Sequence, residues 1–309
     1  MAVLGTRPEA IKMCPVIIEL KKRKNVDLYV CITGQHREML RSVLDIFGVR
    51  ADCDLDIMKE GQSLADITKA VLDGISEVLE REKPDVVLVH GDTTTAFAAS
   101  LACFYKKIPV GHVEAGLRTY DVYSPYPEEF NRRAIDITAS YLFAPTRLSA
   151  ENLLREGADE NSIFVTGNTA IDALRLTVRE EYSSPITEAA AGKRIILLTA
   201  HRRESHGEAL RGIFRAVRRI ADEFDDVMIV YPVHPNPVVR AAAEETLSGH
   251  ERIMLTEPLD VIAFHNLMAK SFFIMTDSGG IQEEAPSLGK PVLVLRDVTE
   301  RPEGVEAGT

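Results

Sequence analysis

This sequence is short of cysteine, of long apolar runs and of positive charge relative to negative, and each shortage removes a class of function. Its four cysteines, Cys14, Cys31, Cys53 and Cys103, stand far apart, with no CxxC pair and no nearby Cys/His set. Neither a zinc site nor a disulfide framework is indicated, and reduced, buried thiols are expected. No segment approaches the roughly 20 apolar residues of a membrane span. The first residues also lack a basic-then-apolar export signal, so a cytoplasmic location is expected. Lys and Arg number 36 against 47 Asp and Glu, for a formal net charge of -11. That balance argues against a general affinity for nucleic acid or anionic membrane, either of which would be repelled over most of the surface. An anionic small substrate would need a local basic pocket.

A chain of 309 residues, 45% hydrophobic and 27% charged without long polar tracts, has the balance of a packed protein and enough length for two domains. Short β-rich runs alternate with helical patterns throughout, which predicts α/β architecture with parallel sheets covered by helices on both faces. In the first half the predicted strands are Val26 to Thr33, Asp85 to His90, Ile108 to Glu114, Tyr141 to Pro145 and Ile163 to Thr166. Leu64, Ile67, Val71, Leu72, Ile75, Val78 and Leu79 recur at helical spacing behind Ser63, a predicted N-cap. The second half repeats the theme with strands Arg194 to Thr199, Val227 to Pro232, Phe272 to Thr276 and Pro291 to Leu295. A helix there turns Leu210, Ile213, Phe214, Val217 and Ile220 inward. The predicted division is 1–166 and 167–309, near Gly167, with Glu180 to Lys193 as a surface connection.

Two such domains would face each other across a central cleft, and ligands of open parallel sheets sit outside the carboxyl ends of the strands. Chemically capable residues cluster there: His90-Gly91-Asp92, Glu114-Ala115-Gly116, His201-Arg202-Arg203, His234 and Asp277-Ser278-Gly279-Gly280 all follow predicted strands. The last of these runs into a helix, so its glycines let backbone N–H groups approach a diphosphate at the positive end of the helix dipole. Glu284, one turn on, could accept from ribose hydroxyls, although Ser278 as a plain cap and Glu284 as a solvated residue would also fit. Gly5-Thr6-Arg7-Pro8-Glu9 leads into a helix carrying Lys12. Arg7 and Lys12 could grip phosphate or sugar, or could equally be surface cations in a routine cap. Arg202, Arg203 and Arg301 carry the same ambiguity.

Asp92, Glu114 and Glu128 are the candidate proton handlers. Gathered in one cleft they would repel one another, and crowding with partial desolvation would raise the pKa of at least one, leaving an acid beside a base near neutral pH. Asp92 could instead cap the following helix and Glu128 could simply complement a helix dipole, whereas Glu114 after the run from Pro109 to Val113 is hardest to explain structurally. His201 and His234 each end an apolar strand, where an imidazole can donate to a phosphate or leaving group.

GTRPE from Gly5, HGDTTTA from His90, HVEAGLRT from His112, PEEFNR from Pro127, HRRE from His201 and DSGGIQEEAPSLGKPVLVLRD from Asp277 together resemble the bacterial and archaeal non-hydrolysing UDP-N-acetylglucosamine 2-epimerases, in order over the whole chain. The resemblance implies a glycosyltransferase-B-like fold, a homodimer, and interconversion of UDP-N-acetylglucosamine and UDP-N-acetylmannosamine for surface polysaccharide synthesis. It implies no metal and no redox cofactor. By position it makes Asp92, Glu114, Glu128 and His201 catalytic, and Arg7, Lys12, Arg132, His234, Phe264, Ser278, Gly279, Gly280, Glu284 and Arg301 substrate contacts. It further implies anti elimination of UDP to 2-acetamidoglucal and re-addition on the other face.

Many members have a second, regulatory site for the nucleotide sugar. The segments that would supply it, Thr33 to Met39 and Gln62 to Lys69, keep Gln35 but carry Glu38 and Lys69 where Gln and Arg are expected, which speaks against allosteric activation. The family pattern also continues beyond Thr309 into a last helix. Three competing readings remain: a hydrolysing epimerase releasing N-acetylmannosamine and UDP, a glycosyltransferase of like architecture, for which the acidic trio would be superfluous, and a catalytically silent nucleotide-sugar binder.

Overall fold

A computed structural model describes residues 1–34, 37–59, 61–202, 207–296 and 302–308. Arg203 and Arg301, and the regulatory candidate Gln35, lie outside the described residues, as does the side chain of Glu38. The chain forms two compact units, Met1–Leu176 and Thr177–Thr309. The division falls ten residues beyond the expected 1–166 boundary. Hydrogen bonding explains the shift: Asn168 Nδ2 still donates to Glu114 in the first unit, whereas the Thr177 hydroxyl meets His265 Nδ1 at 2.7 Å in the second.

The first unit is a parallel sheet of seven strands: β1 (Ala2–Leu4), β2 (Val30–Ile32), β3 (Cys53–Asp54), β4 (Val87–His90), β5 (Val110–Val113), β6 (Tyr141–Ala144) and β7 (Ile163–Val165). Their spatial order is β3-β2-β1-β4-β5-β6-β7. The second sheet has five, β8 (Arg194–Thr199), β9 (Val227–Pro232), β10 (Ile253–Thr256), β11 (Phe273–Thr276) and β12 (Val292–Val294), in the order β10-β9-β8-β11-β12. Both orders reverse direction once, between β1 and β4 and between β8 and β11. Such switch points are where doubly wound sheets open a crevice beyond their carboxyl ends.

Alternation along the strands divides the first core into two layers. Val3, Cys31, Val87 and Val89 face Val71, Ile75, Val78 and Leu79 of the helix Leu64–Glu82. Ala2, Leu4, Val30 and Ile32 face Ala10, Met13, Cys14 and Ile17 of the helix Arg7–Lys21. Each fully buried Leu or Ile contributes about 1.5–3 kcal/mol. In the second unit Leu210, Phe214 and Val217 of the helix Glu208–Glu223 cover Ile196, Leu198, Ile229 and Tyr231. Ser63 is the N-cap expected for its helix, accepting from the Asp66 amide.

Several observed strands are shorter than expected. β2 begins at Val30 because only Val30, Cys31 and Ile32 find register partners on β1. Pro291 accepts from the Ile274 amide but has no N–H to give, so β12 starts one residue later. The expected surface connection from Glu180 contains a short helix, Pro185–Ala189, closed by a capping box at Ser184.

Candidate active site

In the first unit the site grows from the loops that follow β1, β4 and β5. Gly5 follows β1, and a Cβ there would sit 2.2 Å from the Thr95 hydroxyl, so only glycine lets this loop touch the first turn of the helix Thr94–Lys106. The next residues turn into the helix Arg7–Lys21 through a capping box whose carboxylate, Glu9, is 1% exposed. Glu9 accepts from the amides of Gly5 (3.0 Å) and Thr6 (2.6 Å) and from the Thr93 hydroxyl (2.9 Å), tying the loop after β1 to the one after β4. Burial pushes its carboxyl up to about 7, against these donors. Arg7 opens the helix, half-buried. Lys12, one turn on, pairs with Glu114.

Glu114 follows β5 in the left-handed region, φ +70, where a side chain other than glycine is strained; strain of this kind concentrates at functional sites. Its carboxylate, 8% exposed, also lies 3.7 Å from His90 Nε2. Burial drives His90 down to about 3, so the imidazole beside Glu114 is neutral. Asp92 pairs with Arg132, and its carbonyl accepts from Asn131 Nδ2 at 2.9 Å. Glu128 opens the helix Glu128–Thr138 that carries both residues, one turn before Arg132. Its neighbour Glu129 is fully buried, and its oxygens accept from the Thr119 and Tyr120 amides, both at 3.1 Å, which is a structural role. The expected crowding of carboxylates is thus met by cations, Lys12 on Glu114 and Arg132 on Asp92, and Asp92 does not cap the next helix, because Thr93 does.

A buried network fixes these loops from behind. His112 joins Asp136 through Nδ1 (2.6 Å) and the Gly91 carbonyl through Nε2 (2.7 Å). Asp136 also receives Arg118 (2.7 Å), which continues to Glu156. Gly116, φ +84, lies where a Cβ would come within 2.3 Å of the Ser149 carbonyl, so this loop packs backbone against backbone.

The second unit gathers its candidates at its own switch point. His201 follows β8 and the Asp277-Ser278-Gly279-Gly280 run follows the adjacent β11. Asp277, fully buried, accepts from the His201 and Arg202 amides through Oδ2, at 2.6 and 2.7 Å. The His201 and His234 rings stack, with centroids 5.0 Å apart and planes 5° from parallel. Burial lowers the pKa of His201, against the pull of Asp277. The glycine run enters the helix Ile281–Ser287 with Gly280 as N-cap, and Ser278 is no cap: its amide donates to the Thr276 hydroxyl. Glu284 lies on the first turn, where its Oε1 would be 3.6 Å from a Cβ at Gly280. Phe264 lies half-buried on the helix Val261–Lys270. His90 and Asp277 were expected among the residues at the strand ends but were given no role there, and Glu9 and Asp136 were not expected; of these two, Glu9 carried a usable signal, its spacing of three from Thr6.

No described helix is long and apolar enough to cross a membrane. A family profile described as UDP-N-acetylglucosamine 2-epimerase matches residues 18–309. The UDP-N-acetylglucosamine 2-epimerase of Bacillus subtilis (strain 168) is 61% identical over 309 residues, covering 100% of this chain and 81% of its own. The S. aureus MnaA–UDP co-structure superposes with a TM-score of 0.95 at 56% identity, over 100% of this chain and 82% of that one. The crystal structure of UDP-GlcNAc 2-epimerase from Neisseria meningitidis bound to UDP-GlcNAc gives 0.93 at 52% identity, over 99% and 85%. With two parallel-sheet units of glycosyltransferase-B-like type and these likenesses over its whole length, the chain belongs to the UDP-N-acetylglucosamine 2-epimerase family.

Proposed function

We propose that this chain is a non-hydrolysing epimerase, interconverting UDP-N-acetylglucosamine and UDP-N-acetylmannosamine by anti elimination of UDP to 2-acetamidoglucal and re-addition of UDP at C1 with the proton delivered to the opposite face of C2. The observation that carries the reading is the acidic set of the first unit: Asp92 and Glu114 at the ends of adjacent strands, paired with the buried Arg132 and the half-buried Lys12 respectively, with Glu128 one helical turn from Arg132. The C2 proton is not adjacent to a carbonyl carbon, so direct abstraction is hard. Departure of UDP builds positive charge at C1 and acidifies that proton, and a carboxylate then suffices as base. The reaction needs an acid, a base and a held diphosphate, and no nicotinamide.

In this reading Asp92, Glu114 and Glu128 divide the proton work. Gly279 and Gly280 offer backbone donors and Ser278 its hydroxyl to the diphosphate, Glu284 takes the ribose hydroxyls, and His201 donates to the departing phosphate oxygen. Arg7, Lys12, Arg132, His234, Phe264 and Arg301 complete the substrate contacts. The same reading makes the protein a cytoplasmic homodimer that supplies an activated sugar for surface polysaccharide.

Anion-exchange chromatography of the protein incubated with UDP-N-acetylglucosamine tests it. UDP-N-acetylmannosamine at constant total sugar nucleotide is the expected result. Free N-acetylmannosamine with equimolar UDP would identify a hydrolysing epimerase instead, and tight UDP binding with no product would identify a silent binder.

A further inference from the structure

The contacts of the two stacked histidines assign different work to them. His234 Nδ1 accepts the Asn236 amide at 3.1 Å, so that nitrogen carries a lone pair and the ring proton sits on Nε2. His201 has the opposite environment. Its Nδ1 lies 3.3 Å from Asp277 Oδ1, a carboxylate oxygen with no hydrogen-bond partner among the described residues, in a fully buried side chain. The other oxygen of that carboxylate is held by two backbone amides, which leaves Oδ1 beside the imidazole at ion-pair distance, without a hydrogen bond between them. A carboxylate beside Nδ1 favours the tautomer with its proton there, which leaves Nε2 as the exchanging atom.

We propose that Asp277 is a positioning residue for the reaction: it fixes His201 with Nδ1 protonated and supports the imidazolium, so that Nε2 is the group that gives a proton to UDP as it leaves and takes it back on re-addition. His234, held in the opposite tautomer, serves as the neutral face on which the charged ring stacks. This inference rests on the reading that His201 acts on the diphosphate. The step balances. The C1–O bond breaks with its electron pair on the phosphate oxygen, which receives the Nε2 proton. The C2–H pair becomes the C1–C2 double bond, and the C2 proton passes to a carboxylate of the first unit. On re-addition the C1–O bond re-forms and the phosphate oxygen returns its proton to Nε2, while a carboxylate on the other side of the ring delivers a proton to the opposite face of C2, which inverts that centre. The arrangement parallels the Asp–His couple of serine hydrolases, where replacing the carboxylate by an amide leaves the geometry intact and inverts the tautomer.

Asp277→Asn keeps one oxygen for the two amides and presents its NH₂ group to Nδ1. Its expected effect is a loss of about 10²–10⁴-fold in kcat, a displaced histidine limb in the pH profile of kcat, and KM and UDP affinity by calorimetry near the unmodified values. Because that variant could fail to fold, the direct readout is ¹⁵N NMR of the unmodified protein near neutral pH. His201 is expected with Nδ1 protonated and His234 with Nε2 protonated. His201 with Nε2 protonated and Nδ1 bare, or a folded Asp277→Asn enzyme with an unmoved pH limb and full kcat, would overturn the assignment of Asp277. His201→Gln separates the two levels: full turnover in that variant would defeat the catalytic reading of His201 itself, whatever Asp277 does.

Discussion

Around Glu114, for which we propose a role in proton transfer, a strained backbone, a half-buried lysine and a neutral histidine converge on one carboxylate. Asp92, Glu114 and Glu128 were legible in the sequence because acids directly after apolar strands, or opening a helix beside arginines, are costly unless they are used. Asp92→Asn, Glu114→Gln and Glu128→Gln are each expected to lower turnover about 10²–10⁴-fold while calorimetry finds UDP binding largely kept. Normal turnover in all three would remove the acidic set from the chemistry. The positions of His90 and Asp277 at strand ends were legible, but what they and Glu9 do was not, because it lies in burial and in partners as far away in sequence as Thr93 from Glu9. The closeness of Gly5 to Thr95 was likewise invisible. Gly5→Ala is expected to cost about 1–3 kcal/mol in urea denaturation, since its new methyl would overlap the Thr95 side chain.

The elements that sequence periodicity identified well are those whose pattern is long and capped. The helix Leu64–Glu82 has its apolar stripe and its Ser63 cap, and Ser63→Ala should cost about 0.5–2 kcal/mol of stability with turnover unchanged, because the cap serves the helix alone. A loss of turnover matching that of the acidic variants would mean that this helix reports to the site in some further way. The strands β8 and β9 were read to the residue, six apolar-rich positions each. The edge strands β3 and β10 were not expected: two and four residues long, neither offers enough alternation to distinguish it from a loop. The helix Arg37–Ile46 also escaped, although its inward residues Leu40, Val43 and Leu44 are buried. The site survived these omissions because its loops follow central strands, where the apolar signal is strongest.

At the scale of the whole molecule, the buried ionisable groups give stability a pH dependence with a definite sign. His90 falls from 6.5 to about 3 on folding, so the unfolded chain binds its proton first, and the stability it contributes above 6.5 is lost as pH falls toward 3. Glu9 rises from 4.5 to about 7, so its contribution is present below 4.5 and is lost as pH rises through 7. Between pH 4.5 and 6.5 the two slopes oppose each other. His90→Gln should therefore expose the slope of Glu9, with the urea midpoint falling more steeply as pH rises over that window than in the unmodified protein. An unaltered slope would show that His90 is not held neutral by burial. For the account as a whole, the most direct test is proton NMR of the protein with UDP-N-acetylglucosamine in D₂O, following C2 and every product. Deuterium at C2, with deuterated UDP-N-acetylmannosamine growing to equilibrium with its epimer and no free sugar, is the predicted result. Unchanged substrate with its C2 proton intact, or N-acetylmannosamine released with UDP, would contradict it.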